Sequence, residues 1–177
     1  MRKIIAAEYL SLDGIMSDPA WTGPYWSDEL AKLQHELLFQ SDLLLLGRVT
    51  YDGMSKAWPQ MKEGDFGERM NSIPKLVATK TLKDLEWNAT AIQGDVYEEI
   101  RRLKQESGQH ILIYGSGVLL QSLMQQNLID EYRLMVHPVV LGQGARLFAE
   151  GIQTKLKLTE TKTTTTGVAV LTYQLEN

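Results

Sequence analysis

Short apolar runs that end in glycine or turn residues recur along the chain and predict β-strands. Runs of this length and composition are typical of strands that are buried on both faces of a sheet. They lie at residues 3–10, 42–46, 75–78, 110–114, 131–141 and 167–175. The first run is followed by Ser11-Leu12-Asp13-Gly14, a turn composition that closes the strand.

Between these runs, apolar residues recur at helical spacing in three segments. Ser27 and Asp95 precede the first two segments and are the predicted N-caps, because their side chains can accept from free backbone N–H groups. The third segment follows Gly117. The apolar positions are Leu30, Leu33, Leu37 and Leu38 in the first segment, Val96, Ile100 and Leu103 in the second, and Leu119, Leu120, Leu123 and Met124 in the third.

The alternation of strands and helices predicts an α/β domain with a central, largely parallel sheet. The tail over residues 156–175 has no helical period and predicts a strand hairpin that pairs antiparallel at a sheet edge. The threonine run at 163–166 fits an exposed β-ribbon. Segments 11–26 and 58–73 are predicted to be loops.

Composition narrows the classes of function. The 177 residues predict one domain over 1–177, and 18 Lys+Arg against 22 Asp+Glu give a net charge of −4, which argues against nucleic-acid binding. The absence of cysteine excludes disulfides and thiol nucleophiles, and the three scattered histidines predict no metal site. No apolar run approaches the ~20 residues of a membrane span, and no export signal is visible. We therefore expect a cytoplasmic protein that binds no membrane.

The sequence Tyr114-Gly115-Ser116-Gly117-Val118 lies where a predicted strand ends and a predicted helix begins. A helix N-terminus attracts anions through its free N–H groups and its dipole, and glycine lets a ligand approach the backbone. The motif lacks the third glycine of the dinucleotide fingerprint and follows a late strand, which disfavours a Rossmann domain. A phosphate site and a tight strand-to-helix turn both stay open.

Two further turns have a similar character. In Gly47-Arg48-Val49-Thr50, an arginine fork and a hydroxyl lie at the expected start of a helix. In Thr79-Lys80-Thr81, a hydroxyl beside a cation could hold a 2′-phosphate. An ordinary turn with a solvated arginine and a capped loop with a surface lysine are the alternatives. Ligands of open α/β sheets bind at the carboxyl ends of the strands, so three such turns predict an extended phosphorylated ligand such as a dinucleotide.

Taken in order, the motifs of the chain resemble those of the dihydrofolate reductase-like superfamily. They are most similar to the branch that contains the reductase domain of bifunctional riboflavin-biosynthesis enzymes and its small stand-alone relatives. Five motifs carry the resemblance: Ser11-Leu12-Asp13-Gly14, Gly47-Arg48-Val49-Thr50, Thr79-Lys80, Gly115-Ser116-Gly117, and the stretch from His137-Pro138-Val139-Val140-Leu141-Gly142-Gln143-Gly144 to Leu147-Phe148. The resemblance implies a three-layer α/β fold with about eight mostly parallel strands, an antiparallel C-terminal hairpin, and helices on both faces.

The same resemblance implies hydride transfer from NADPH to a small, pterin- or pyrimidine-like heterocycle, by a homodimer. It implies that Thr79 and Lys80 hold the 2′-phosphate and that Gly115, Ser116 and Gly117, with Val118 beside them, hold the pyrophosphate. The remaining implied cofactor residues are Gly47, Arg48 and Thr50 at a phosphate and the backbone near Ala7 and Ile15 beside the nicotinamide.

The chain also departs from the family pattern. Without cysteine, it lacks the zinc deaminase half of the bifunctional enzymes. Ala31 falls near the place of the folate-binding carboxylate, and Asp28 nearby is the candidate substrate carboxylate, against a helix-start charge. The resemblance places Asp13 in the loop where substrate and nicotinamide meet, so it is the other candidate catalytic residue, against a turn-forming role. The alternatives to a reductase are a non-catalytic nucleotide-binding or regulatory module, a structural protein with this fold, and an unrelated sugar-phosphate enzyme.

Two aromatic features leave their own alternatives open. His137 precedes Pro138 in a long predicted strand, where a structural role is favoured over a catalytic one. Trp21, Tyr25 and Trp26 crowd the segment at 18–26, where they could cover a flat ligand ring or pack against the core or a dimer partner.

Overall fold

A single eight-stranded sheet runs through the computed structural model, which describes residues 1–176. Its strands are β1 (Ile4–Leu10), β2 (Ser41–Gly47), β3 (Lys75–Ala78), β4 (Ala89–Ala91), β5 (His110–Tyr114), β6 (Glu131–Val136), β7 (Leu156–Thr163) and β8 (Ala169–Leu175). Across the sheet they follow the order β4-β3-β2-β5-β1-β6-β8-β7. All neighbours from β4 to β6 pair in parallel, and β8 pairs antiparallel with both β6 and β7. The predicted parallel sheet and C-terminal hairpin are confirmed.

Helices connect the strands. They are α1 (Asp28–Phe39), α2 (Arg48–Ala57), α3 (Gly64–Ser72), α4 (Val96–Gln105) and α5 (Gly117–Gln125), with short 3-10 helices at Pro19–Tyr25 and Trp58–Gln60. None of the helices in residues 1–176 is both long and apolar enough to cross a membrane.

The sheet has one hydrophobic cluster on each face. Side chains of a strand alternate between the two faces, so Ile4 and Ala6 pack with α4 and α5, whereas Ile5 and Ala7 pack with α1, α2 and α3. The three helices predicted from apolar spacing, α1, α4 and α5, each bury that face, for example Leu30, Leu37 and Leu38 of α1. The predicted three layers, with helices on both sides of the sheet, are confirmed.

Two of the predicted helix caps are also present. The Ser27 hydroxyl accepts from the backbone N–H of Leu30 at 3.3 Å, and the Asp95 carboxylate accepts from that of Glu98 at 2.9 Å. Each cap satisfies one of the N–H groups that a helix start leaves free, and so fixes where the helix begins.

The strand predicted over 131–141 is too long, because β6 ends at Val136. The His137 N–H still donates to the Leu10 carbonyl at 2.7 Å, but Pro138 has no N–H to continue the ladder. The Val139 N–H then donates back to the His137 carbonyl at 2.8 Å, and the chain leaves the sheet.

The loop predictions are wrong in two places, since residues 64–72 form α3 and residues 19–25 form a 3-10 helix. Both elements bury few side chains, so no apolar period marks them. The three-residue strand β4 was too short and too weakly apolar to be predicted. The threonine run 163–166 ends β7 and turns the hairpin, with Thr164 buried.

Candidate active site

A large cleft opens at the carboxyl ends of the central parallel strands. Its volume is about 1740 Å³, which exceeds the 300–1,000 Å³ typical of a pocket for one small ligand. Ten of the residues predicted for cofactor binding line it: Ala7, Gly47, Arg48, Thr50, Thr79, Lys80, Gly115, Ser116, Gly117 and Val118. Residues that are far apart in the sequence thus share one cavity that has room for an extended ligand and a second small molecule.

Helix α5 begins at this cleft without a side-chain cap. Gly115 and Ser116 both adopt left-handed backbone conformations, with φ of 57° and 68°, and turn the chain sharply from β5 into the helix. The Ser116 hydroxyl, at the N-cap position, makes no bond to the start of its own helix. It accepts instead from the Gly47 N–H at 2.7 Å. The first N–H groups of α5 therefore keep no partner from the cap and face the cleft.

Helix α2 begins beside it in the same way. Its N-cap is Gly47, which has no side chain to offer, so this helix start also lacks a side-chain cap. Arg48 and Thr50 follow in its first turn and line the cleft. The Arg48 guanidinium is half-exposed and lies 3.6 Å from Asp52, an exposed pair that leaves the guanidinium able to turn toward an anion.

Glycine is required where these two turns meet. A Cβ on Gly115 would lie 3.0 Å from the Thr50 hydroxyl, and a Cβ on Gly47 would lie 3.3 Å from the Ser116 side chain. Side chains at these positions would crowd the side chains of Thr50 and Ser116 at the two helix starts. The glycines thus keep the two uncapped helix ends close together.

The far end of the cleft carries the third predicted turn. The Thr79 hydroxyl accepts from the backbone N–H groups of Thr81 and Leu82, both at 3.3 Å, and so holds the loop after β3. Lys80 is exposed and has no salt-bridge partner within residues 1–176. Its ammonium group is therefore available to a ligand. We call this end, together with the two uncapped helix starts, the outer half of the cleft.

The rest of the cleft wall, which we call the inner half, is lined by three buried polar side chains that the motifs do not include. Glu8 is 3% exposed, Gln34 5% and Tyr114 8%. One oxygen of each, Glu8 Oε1, Gln34 Oε1 and the Tyr114 hydroxyl, is buried without a hydrogen-bond partner among the described residues. Buried polar atoms are nearly always paired, and the described residues supply no partner for these three oxygens, so water or a bound ligand must supply it.

Gln34 and Tyr114 lie on the α1 side of the sheet. The Gln34 side-chain N–H donates to the Tyr9 hydroxyl at 2.8 Å, which orients the amide and leaves its oxygen free. Burial, with Tyr9 and Glu8 nearby, raises the pKa of Tyr114, so its hydroxyl stays protonated. Apolar and aromatic side chains surround the pair, namely Ala31, Met54, Trp58, Phe66 and Met70.

Glu8 lies on the other side, under the glycine turn. Burial raises the pKa of its carboxyl well above the usual value, and a backbone hydrogen bond from Gly115 lowers it by less. One signal in the sequence marks this residue, namely a charged side chain inside the apolar run of β1. The corresponding signal for Gln34 is a polar residue between Leu30 and Leu37 on the apolar face of α1.

The two predicted catalytic carboxylates do not line the cleft. The Asp13 carboxylate accepts from the Ser11 hydroxyl at 2.6 Å and from the backbone N–H groups of Gly142 and Leu141 at 2.8 and 3.1 Å. These bonds lower its pKa to about 2 and tie the loop after β1 to the loop after β6. Asp28 is exposed at the start of α1. Catalytic roles for both stay predictions, and the geometry shows turn-forming and helix-start positions.

Ile15 is also absent from the cleft wall. It is 1% exposed, its N–H donates to the Ser11 hydroxyl at 2.9 Å, and its carbonyl accepts from the Ser11 N–H at 2.9 Å. The backbone groups of Ile15 thus already have partners within their own loop.

The aromatic segment divides between core and cleft. Trp21, Tyr25 and Tyr9 surround His137 with their rings edge-on, at centroid distances of 5.3 to 5.8 Å. His137 is fully buried, its Nδ1 is 2.8 Å from the Met135 carbonyl, and burial lowers its pKa. It packs as a neutral core residue away from the cleft wall. Trp26, by contrast, is half-exposed and lines the cleft.

Comparisons with known proteins agree with this geometry. The sequence matches the family model of the RibD C-terminal domain over residues 2–171. The YyaP protein of Bacillus subtilis (strain 168) is 32% identical over 143 residues, which cover 78% of this chain and 76% of that protein.

Two solved structures share the fold. A protein of Shewanella sp. PV-4 described as a riboflavin biosynthesis protein superposes with a TM-score of 0.80 at 22% identity, over 99% of both chains. Dihydrofolate reductase from Enterococcus faecalis, complexed with NADP(H), superposes with a TM-score of 0.67 at 15% identity, over 99% of this chain and 97% of that one. At these identities, the likeness establishes a dihydrofolate reductase-like fold.

Proposed function

This chain belongs to the RibD C-terminal domain family, and from that premise we propose that it is an NADPH-dependent reductase acting on a small heterocycle of pterin or pyrimidine type. Its family and its fold are those of reductases. The two further parts of the proposal, the cofactor and the class of substrate, are argued from the residues that line the cleft.

One observation carries the proposal: two uncapped helix starts face the same cleft and are joined by the hydrogen bond from the Gly47 N–H to the Ser116 hydroxyl. Helices α1 and α4 have side-chain caps, whereas α2 and α5 leave their first N–H groups to a ligand. Such groups, with the helix dipoles, favour anionic oxygens. Two neighbouring helix starts suit the two phosphates of a dinucleotide.

The residues in the outer half fit NADPH. The close packing at Gly47 and Gly115 leaves backbone without a side chain where the pyrophosphate must approach. Arg48 and Thr50 supply a guanidinium and a hydroxyl to the same phosphates. Lys80 is the cation for the 2′-phosphate, because it is exposed, lines the cleft and has no competing ion pair in the described part of the chain.

The α1 side of the inner half fits an uncharged planar ring. The Gln34 oxygen accepts from a ring N–H, and the protonated Tyr114 hydroxyl donates to a ring carbonyl or nitrogen. The surrounding aromatic and apolar side chains exclude water and contact the ring faces. His35 also lines the cleft, but its Nε2 lies 2.8 Å from Asp65 Oδ2, so this ring nitrogen already has a partner in the protein.

NADPH, when bound, supplies the hydride, and the chain contributes binding, orientation and exclusion of water. The helix starts and Lys80 fix the phosphates at one end of the cleft. Gln34 and Tyr114 fix the ring to be reduced at the other. Hydride transfer needs the two reacting carbons close together and aligned. The fold contributes to catalysis by holding the phosphate-binding groups and the ring-binding side chains at a fixed distance from each other.

The first experiment is thermal unfolding with NADPH and, separately, with NADH. A ligand present at about 100 times its Kd stabilises a protein by about 2.7 kcal/mol, and the melting temperature then rises by several degrees. We expect the rise with NADPH and a smaller one with NADH. If neither nucleotide shifts the transition, the proposed cofactor is wrong.

The second experiment follows NADPH oxidation spectrophotometrically with a panel of dihydropterins and aminopyrimidines. Turnover with a member of the panel supports the reductase. The position of Asp13 and Asp28 outside the cleft wall favours, as the second candidate, a module that binds the nucleotide without using it. That candidate predicts an NADPH-induced thermal shift with no oxidation by any compound of the panel.

A further inference from the structure

Arg146 is an exposed arginine on the cleft wall that no part of the proposed function uses. It lies in the loop after β6, between Ala145, which also lines the cleft, and the fully buried Leu147. Leu147 belongs to the hydrophobic cluster on the α5 side of the sheet, whereas Tyr114 belongs to the cluster on the α1 side. Arg146 therefore enters the cleft from the side of α5, away from the proposed site of the substrate ring.

Two contacts fix the backbone of Arg146. Residues Ile15 and Arg146 form an isolated antiparallel bridge, which ties the loop after β6 to the loop after β1. From α5, the Gln121 side-chain N–H donates to the Arg146 carbonyl at 3.1 Å. The base of the arginine side chain thus has a defined place beside this helix.

The same loops touch the first turn of α5. The Met16 N–H donates to the Ala145 carbonyl at 2.8 Å. A Cβ on Gly117, the first residue of α5, would lie only 3.1 Å from Met16 Sδ. The residue before Arg146 is therefore bonded to a residue that packs against the start of α5, and the long side chain of Arg146 lies within reach of a ligand bound there.

The guanidinium of Arg146 makes one hydrogen bond within the described residues. Its Nη1 donates to the backbone carbonyl of Asp13 at 2.5 Å. The Asp13 carboxylate accepts instead from the Ser11 hydroxyl and from the N–H groups of Leu141 and Gly142. Arg146 forms no salt bridge with any residue in 1–176. A guanidinium has five N–H donors and a permanent charge, so most of its donors are available to an anion.

The order of the strands places Arg146 relative to the other cations of the cleft. The turns on the cleft wall follow the carboxyl ends of β3, β2, β5, β1 and β6, which are consecutive in the sheet. Lys80 follows β3, Arg48 follows β2, and Arg146 follows β6. Adjacent strands are about 4.8 Å apart, so β6 lies about 10 Å beyond β5 on the side away from Lys80. The start of α5, which follows β5, therefore lies between Arg48 and Arg146.

A dinucleotide with its 2′-phosphate at Lys80 has its two diphosphate groups in a fixed order along this row. The phosphate on the adenosine side comes first, next to Arg48, and the phosphate on the nicotinamide side lies farther from Lys80. The planar fork of an arginine matches phosphate oxygens, and charge-assisted bonds of this kind are among the strongest hydrogen bonds. Arg146 is the cation placed on the side of this second phosphate.

We propose that the Arg146 guanidinium binds the phosphate on the nicotinamide side of the NADPH diphosphate. The inference rests on the proposed function, since it requires NADPH in the cleft. Arg146 is then a cofactor-binding residue in the gap of the last sequence motif, between Gly144 and Leu147. Through its bond to the Asp13 carbonyl, it also joins the loop after β1 to the cofactor.

The test compares three ligands that differ in the groups beyond the adenosine. Adenosine 2′,5′-bisphosphate has only the adenosine-side phosphate of the diphosphate, 2′-phospho-ADP-ribose has both phosphates without the nicotinamide, and NADPH is complete. Their Kd values are measured by isothermal titration calorimetry on the full chain and on the variant R146Q. We expect R146Q to bind NADPH and 2′-phospho-ADP-ribose about tenfold more weakly, and adenosine 2′,5′-bisphosphate as in the unmodified chain.

The salt dependence of 2′-phospho-ADP-ribose binding gives a second readout. Salt screens the attraction between charges, so a lost charged contact makes the affinity less sensitive to ionic strength. We expect the affinity to fall less steeply with salt in R146Q than in the unmodified chain. A tenfold weaker affinity with an unchanged salt dependence would show that Arg146 only supports its loop, which would overturn the inference.

The matched control is R101Q, which changes the net charge by the same amount. Arg101 is an exposed arginine of α4 that pairs with Glu98 and does not line the cleft. This variant should bind all three ligands unchanged. Unchanged binding of adenosine 2′,5′-bisphosphate to R146Q also reports that the variant has folded with its 2′-phosphate site intact.

The remaining results overturn the inference. If R146Q weakens all three ligands equally, or if R101Q has the same effect, Arg146 does not act on the second phosphate. If R146Q weakens NADPH alone, Arg146 contacts the nicotinamide nucleoside, and if it weakens none, Arg146 contacts no part of the cofactor. If the unmodified chain binds 2′-phospho-ADP-ribose no more tightly than adenosine 2′,5′-bisphosphate, the second phosphate has no site, while the 2′-phosphate site stands. If it binds none of the three, the proposed function fails and the inference with it.

Discussion

The outer and inner halves of the cleft use different chemistry. The outer half offers backbone N–H groups, helix dipoles and an exposed lysine to phosphates. The inner half offers three individual side-chain oxygens that are buried and unpaired. The first arrangement depends on the positions of glycines, because a Cβ would crowd the side chains where the two helix starts meet. The second depends on single residues. A ligand that fills the whole cleft is thus anchored by the fold at one end and selected by side chains at the other.

The change with the largest expected effect removes the outer half. Gly115→Val places a branched side chain against Thr50, where even a Cβ would lie 3.0 Å from its hydroxyl, on a backbone with φ of 57°. We expect at least about a 100-fold loss of NADPH affinity by titration calorimetry, since both helix starts move. Circular dichroism checks that the variant has folded. A Gly23→Ala control, at a position outside the cleft wall, has no atom within 4 Å of the new Cβ and should bind normally. Unchanged affinity in Gly115→Val would refute the assignment of the pyrophosphate.

A smaller effect is expected at the end of the outer half. Lys80→Ala should weaken NADPH binding about tenfold and leave NADH binding unchanged, because only NADPH carries the 2′-phosphate. Lys83→Ala provides the control, as this exposed lysine of the same segment does not line the cleft. Equal losses for the two nucleotides in Lys80→Ala would place the 2′-phosphate elsewhere.

The inner half is tested without any ligand by a pair of tyrosine variants with opposite expected signs. Tyr114→Phe removes a buried hydroxyl without a partner, so the free energy of unfolding should rise by about 1 kcal/mol and the melting temperature by about 2–4 °C. Tyr51→Phe removes a hydroxyl that accepts from the Glu86 N–H at 2.9 Å, and should lower stability by a similar amount. Chemical denaturation measures both. Destabilisation by Tyr114→Phe would show that its hydroxyl is paired inside the protein.

The smallest effect concerns the pH dependence that Glu8 gives to the ligand-free protein. Because burial raises its pKa in the folded state, the unfolded chain loses the proton first as the pH rises above about 4.5. The contribution of Glu8 to stability is therefore complete in acid and declines until the folded pKa is passed. E8Q cannot ionise, so its stability relative to the unmodified chain should increase as the pH rises above about 4.5, until the folded-state pKa of Glu8 is passed. A constant difference across this range would show that the folded-state pKa of Glu8 is not raised.

The same division explains what could be read from the sequence. Apolar spacing was enough for the parallel strands other than β4 and for α1, α4 and α5, and the cap residues Ser27 and Asp95 were recognisable by type. The outer half was recognisable too, because glycines and cations at strand ends form local motifs. α3 and β4 were missed because they bury too few apolar side chains to show a period.

The inner half needed the tertiary structure. Glu8 becomes a cleft residue only because β1 pairs between β5 and β6, and Gln34 only because α1 packs over Tyr9. In the sequence alone, Glu8 and Gln34 each stand out only as a single polar residue in an apolar stretch. Asp13 shows the opposite case, because a motif in the sequence marked it as a site residue and the structure gives its carboxylate a role in the loops. It accepts from the Ser11 hydroxyl and from the N–H groups of Leu141 and Gly142.

The bond between the Ser116 hydroxyl and the Gly47 N–H has a consequence for the entropy of binding. Ser116 follows β5 and Gly47 ends β2, so the bond joins the two turns at the ends of these paired strands. Folding orders both turns before any ligand arrives, and binding then loses little backbone freedom. A chain without this hydroxyl would have to order the turns at each encounter. Because of the Ser116 side chain, the backbone entropy of these turns is thus lost once, on folding, and is not lost again at each binding event.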